Sequence, residues 1–315
     1  MNCDWKGLSD YQNTECYGWE NCAHLQNGLI ELMVTTDVGP RVIRLGFIGQ
    51  DNEFATWPEM LGKTGGDEWR IYGGHRLWHA PEDPVRTYWP DNVPVQVEAH
   101  DGFVRFIQPM ESSTGVVKEM DIALHPDKAL VRITHRLINR NLWAVSFAPW
   151  ALSVMAPGGV GVIPMPPRGE HPRDLLPVNS LTFWSYTDMS DARWTWGEKF
   201  VLLRQESGNV KPQKIGAFVP DGWGAYARRG HLFVKQFEVD AGAAHPDGNS
   251  TVELFTNGDM LEVETLGPVT SLAPGSSVTH TEVWSLTDGV SQPESEQDVL
   301  ELVAPKVMAV LDACR

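Results

Sequence analysis

Residues 116–124, VVKEMDIAL, set Met120, Ile122 and Leu124 in alternation with Glu119, Asp121 and Ala123. That period of two is the pattern of a β-strand with one face buried and the other less so. The same signal recurs on both sides. Short β-branched or apolar runs lie at 28–35, 41–48, 93–99, 102–108, 129–138 and 143–155, and again at 199–204, 214–219, 231–239, 251–256, 260–266 and 277–286. Turn residues separate them, and Asn257-Gly258 reads as a hairpin because both residues tolerate positive φ. Only 296–312 reads as helix, with Val299, Leu300, Leu302, Val303, Val307, Met308 and Leu311 at helical spacing and Pro305 placed to kink or split it. Many short strands with one late helix predict an all-β sandwich in one domain over 1–315, the helix packed on a sheet edge or end. A Pro/Gly-rich stretch at 156–180 is the one long loop, and its Glu170-His171 could close over a ligand.

The 315 residues include 29 Gly and 22 Pro, too few for a disordered chain, and 42% are apolar. A net charge of −16 argues against nucleic acid and anionic membranes as partners. No run is apolar enough to span a bilayer, and no signal-peptide pattern opens the sequence, so a cytoplasmic location is expected, or a periplasmic or secreted one if a signal has been removed. Cys3, Cys16, Cys22 and Cys314 form no metal-binding or disulfide framework and are expected to be reduced thiols, a Cys16–Cys22 bridge being the lesser alternative. Serine-hydrolase, P-loop, zincin and dinucleotide-binding motifs are absent, so no cofactor is expected. Oligomeric state is not legible.

The densest polar and aromatic cluster is 69–92, WRIYGGHRLWHAPEDPVRTYWPDN. Read as a loop, it offers His75, Arg76, Trp78, His79, Glu82 and Arg86 to a polar ligand, with Gly73-Gly74 allowing close backbone approach. His75, His79 and Glu82 would hold a metal only on a helix, which the prolines and glycines oppose, so no metal is expected and the imidazoles are read as acid/base or hydrogen-bonding groups. The second cluster is 259–268, DMLEVETLGP, where Glu262 and Glu264 share one strand face and raise at least one pKa unless cations lie opposite. His280, Glu282 and Trp284 share a face of the following run. Arg41 and Arg44 read either as ion-paired residues or as ligand binders, and His135 as a satisfied, half-buried histidine. With 13 tryptophans against six tyrosines, the chain is well supplied with flat apolar faces on which sugar rings stack.

Three stretches resemble the aldose 1-epimerase, or galactose mutarotase-like, superfamily: NGLIELMVTTDVGPRVIRLGF (27–47), GGHRLWHAPE (73–82) and VETLGPVTSLAPGSSVTHTEVWSL (263–286). The resemblance implies a β-supersandwich of twisted antiparallel sheets with a sugar cleft on a concave face. It also implies that Glu264 takes the anomeric hydroxyl proton while a histidine protonates the ring oxygen. In 139–153, Pro149-Trp150 stands where the family's principal histidine is expected, which points to a bacterial branch without it. His75, or His79, then becomes the candidate acid, with Arg76, Trp78, Glu82, Arg86, Arg41, Glu262 and Trp150 as candidate sugar-binding residues. The functional expectation is a carbohydrate-active protein for a mono- or oligosaccharide, an epimerase-type enzyme if catalytic. A non-catalytic sugar binder and a glycan lyase or glycosidase on the same scaffold are the alternatives.

Overall fold

The computed structural model describes residues 5–313. Two antiparallel sheets face each other. The first has eleven strands in the order Gln12–Cys16, Trp19–Gln26, Ile30–Thr35, Val42–Phe47, Gly74–Ala80, Val145–Met155, Leu261–Leu266, Val252–Thr256, Gln213–Ala217 and Leu181–Phe183, with Thr270–Leu272 paired to Val145–Met155. The second has ten, running Trp194–Trp196, Phe200–Arg204, Val160–Pro164, Trp223–Arg228, His231–Phe237, Ser277–Asp288, Leu130–Asn139, Val116–Leu124, Phe103–Ile107 and Gln96–His100. The predicted alternation holds in Val116–Leu124, where Met120, Ile122 and Leu124 enter the core while Glu119 and Asp121 stay half-buried. That core joins both sheets, Leu32, Leu45 and Val263 from the first meeting Ile122, Ile133, Phe233 and Trp284 from the second.

Three expectations change. The segment Gly74–Ala80, read as loop, is a strand in the middle of the first sheet. Its glycines serve the chain itself: a Cβ on Gly73 (φ 108°) would lie 2.0 Å from the Ala55 carbonyl oxygen, and one on Gly74 2.3 Å from that of Val42. The helix lies on the outer face of the second sheet, where Val299, Val303 and Val307 meet Val160, Val162, Ala225 and Val234, not on an edge. Ser295 and Asp298 form a capping box at its start. It then widens to a π turn over Val299–Val303 before Ala304–Ala313, so the helix is interrupted just ahead of Pro305, which has no N–H to donate.

Finally, Cys16 and Cys22 are bridged, their Cα atoms 6.1 Å apart. The tight Tyr17-Gly18 turn pairs Cys16 with Trp19 and Thr14 with Cys22, which brings the two thiols across the hairpin. Cysteine chemistry therefore gives no ground for a reducing compartment. Cys3 and Cys314 lie outside the described residues. No helix among the described residues is long and apolar enough to cross a membrane.

Candidate functional site

Because Gly74–Ala80 is a strand, its side chains alternate between faces. Arg76 and Trp78 point to the outer face of the first sheet, while His75 and His79 point the other way. Cross-strand register then builds the outer face. Trp78 pairs with Trp150, and Arg76 with Leu152. Leu152 pairs with Glu264, and Val154 with Glu262. Glu264 in turn pairs with Glu253, and Glu262 with Phe255. Phe255 pairs with Lys214. The Asn257-Gly258 hairpin is present as predicted and holds the two acid-bearing strands in this register, Asn257 Oδ1 accepting from the Asp259 and Met260 backbone N–H groups.

Over this face lies a cleft of about 480 Å³. Its walls are aromatic: Trp69, Trp78, Tyr88, Trp150, Trp184, Tyr186 and Phe255. Trp78 meets Trp150 edge-on at 5.3 Å and Tyr88 at 5.3 Å. Two buried cation–acid groups cross the floor. Arg76 Nη2 donates to Glu262 Oε1 at 3.1 Å while its guanidinium sits 4.2 Å above the Trp78 ring. Lys214 Nζ donates to Glu264 Oε2 at 3.1 Å and lies 2.8 Å from Glu253 Oε2 as an ion pair. Trp150 Nε1 also donates to Glu264 Oε2, at 2.7 Å. At the rim, Tyr88 donates to Glu82.

Burial and charge decide how these groups titrate. Burial raises the Glu253 carboxyl well above its usual range, against the pull of Lys214. Burial likewise raises Glu262, with Arg76 opposing. For Lys214 burial works to lower the pKa, but Glu253 and Glu264 override it, so the ammonium stays charged. Asp247, on the adjoining loop, is raised by burial. Several buried polar atoms are left without a protein partner: Arg76 Nε and Nη1, Trp69 Nε1 and Glu264 Oε1.

The structure brings together Arg76, Trp78, Glu82, Glu262 and Trp150, all of which line this cleft. Residues from 69–92 and from 259–268 therefore line one hollow, Glu264 excepted. Glu264 shares their face but is fully inaccessible, held by Trp150 and Lys214. Arg41 is elsewhere: completely buried, it bonds the carbonyls of Arg70 and Ile71 and the Asp91 carboxylate, a clamp on the chain entering the strand. Arg86 pairs with Asp83 and, like His79, lines a different pocket. In a strand, residues four apart are about 13 Å apart, so His75 and His79 cannot share an ion.

His75 faces the interior between the sheets. The His135 Nδ1–H donates to the His280 carbonyl at 3.0 Å, leaving its Nε2 to accept from His75 Nε2–H at 2.8 Å, and His75 Nδ1 accepts from Ser153 Oγ at 2.9 Å. Burial, then the Lys235 charge, holds His75 well below its usual pKa, so it is neutral. His135 is the satisfied core histidine expected, though fully rather than half buried. Nearby, Lys235 Nζ lies 2.9 Å from Glu282 Oε1. Burial works to raise Glu282, but Lys235 overrides it and holds the pKa at about 2. His75, His135 and Glu282 converge closely enough for a metal ion, but the Lys235 ammonium already supplies the positive charge there.

Sequence reasoning missed Trp69, Trp184, Tyr186, Lys214 and Glu253. The signal for the last two is a single charge inside a short strand with no other charged residue, as in QKIGA (213–217) and VELFT (252–256).

This arrangement of two large antiparallel sheets is a fold shared with solved galactose mutarotase-like structures. Among solved structures, the Slr1438 protein from Synechocystis sp. PCC 6803 superposes with a TM-score of 0.56 at 12% identity, over 88% of this chain and 99% of that one. A galactose mutarotase related enzyme from Lactobacillus acidophilus gives 0.52 at 11% identity, over 87% and 99%. A galactose mutarotase-like protein from Clostridium acetobutylicum gives 0.51 at 10%, over 90% and 99%. No protein-family model matches the sequence, and no curated protein does.

Proposed function

We propose that the protein binds a carbohydrate in the Trp-walled cleft, a sugar ring stacking on indole faces while its hydroxyls meet Arg76, Glu262 and Glu82. The observation that carries this is the Arg76–Glu262 pair beside Trp78 and Trp150. Sugars present an apolar C–H face and a rim of hydroxyls that act as both donor and acceptor, and this arrangement supplies both. The unpartnered Arg76 Nε and Nη1 hydrogens add donors of the kind such hydroxyls satisfy. Calorimetric or fluorescence titration with neutral mono- and oligosaccharides tests the reading. Saturable binding that Glu262→Gln weakens about tenfold supports it. No binding by any sugar, or binding indifferent to that change, defeats it.

A second reading is epimerase-type turnover with Glu264 as base, favoured by its unpartnered Oε1. It needs Trp150 or Lys214 to move, because Glu264 is inaccessible, and it needs an acid other than His75 or His79, which face away. Anomer interconversion followed by polarimetry, lost in Glu264→Gln, supports it. An unsaturated product absorbing in the ultraviolet would instead indicate a lyase.

A further inference from the structure

A second pocket, of about 320 Å³, opens where Gly74–Ala80 ends and Val145–Met155 begins. None of its lining residues lines the cleft, yet both are bordered by one segment. Ala80, Pro81 and Arg86 face this pocket, and Glu82 and Tyr88 face the cleft. We propose that this pocket binds a neutral, hydroxylated ring such as a sugar unit, held by His79 and by stacking on Trp143.

Three observations point there. His79 lines the pocket, is 5% exposed, and its Nε2 is buried with no hydrogen-bond partner. A buried polar atom left unpaired is costly, and a ligand hydroxyl pairs with either form of a neutral imidazole. The imidazole is neutral at physiological pH, since burial lowers its pKa to about 4. Second, Trp143 lines the same pocket while 64% exposed, and the Phe147 ring, 5.5 Å from His79, closes the inner side. An indole held out at the mouth of a polar pocket is a stacking surface. Third, the charges around the pocket cancel: Arg86 pairs with Asp83, and Lys118 with Glu111. With its one lining cation already paired, the pocket carries no net charge to draw an anionic or cationic ligand in preference to a neutral polyol.

The ligand class follows from this pocket's own lining, and the site is separable from the cleft in one experiment. Indole N–H resonances of the full chain are followed by NMR during titration with glucose, galactose and their disaccharides, with Trp143→Phe identifying the Trp143 signal. The expected result is a saturable shift of Trp143. His79→Gln should weaken the binding that Trp143 reports about tenfold, by loss of a hydrogen bond, and Trp143→Ala should weaken about tenfold, by loss of stacking, the binding that the His79 imidazole resonances report. Trp143→Ala changes an exposed residue and keeps the test valid if His79→Gln misfolds. Shifts confined to Trp78, Trp150 and Trp184 overturn the second pocket and leave the cleft reading standing. A Trp143 shift without theirs does the reverse. No shift of Trp143 with any of these sugars overturns the proposal.

Discussion

Replacing Lys214 by methionine removes the one cation lying between two buried carboxylates. Glu253 and Glu264 are direct cross-strand partners, both fully buried, with Nζ 2.8 Å and 3.1 Å from their oxygens. At an effective dielectric constant near 20, each contact carries about 5–6 kcal/mol of Coulomb energy. Desolvation of the lysine offsets much of that, and the expected net loss of stability is about 3–5 kcal/mol at neutral pH. The pH dependence follows from Glu253, whose folded pKa already lies above its unfolded value through burial. Without Lys214 it rises further. A carboxyl raised in this way carries no penalty below its unfolded pKa, and the penalty grows as pH climbs toward the folded one.

The deficit of Lys214→Met should therefore be largest near about pH 8 and shrink by about pH 5.5, as Glu253 takes up its proton. In the parent protein, Lys214's folded pKa is raised above its unfolded value, so its contribution is present throughout this range and is lost only in strongly alkaline solution. Urea denaturation followed by tryptophan fluorescence at the two pH values measures both. A deficit under about 1 kcal/mol, or one that is constant or larger in acid, would refute the electrostatic reasoning.

Three further outcomes follow from geometry. His75→Ala should leave sugar affinity in the cleft within about twofold, because the imidazole faces the other side of the sheet. It should cost about 1–3 kcal/mol of stability by stranding the His135 acceptor, and calorimetry with denaturant melts reads both. Trp78→Ala should weaken sugar binding about tenfold or more, since it removes a stacking face and the ring beneath Arg76; isothermal titration decides it, and unchanged affinity would place the ligand elsewhere. Cys22→Ser should lower stability by about 2 kcal/mol, the loop-entropy value for a bridge across so few residues, with the parent protein showing the same loss under reductant.

The strand-rich class, the hairpin at Asn257-Gly258 and the shared face of Glu262 and Glu264 were readable in the chain, because period-two alternation and turn chemistry are local properties of the backbone. So was most of the pool of cleft residues, since Arg76, Trp78, Glu82 and Glu262 stand out by type in two dense clusters, while Trp150 entered only through the family resemblance. The strand Gly74–Ala80 was not readable. Its glycines, histidines and flanking prolines look like a loop, and only the neighbouring strands on both sides, supplying partners for its backbone, make it central.

Everything that turns on that strand was settled by tertiary structure. Once it is a strand, alternation sends Arg76 and Trp78 to the cleft and His75 and His79 away from it, so the histidine and Glu264 end on opposite faces. The partners of Glu264 also come from far along the chain, Trp150 from one neighbouring strand and Lys214 from two strands away. The sequence by itself determined which residues alternate and which can turn. Burial, face and partner depended on register between strands distant in sequence, because a shift of one residue inverts every side chain, and no local pattern encodes which distant strand will lie alongside.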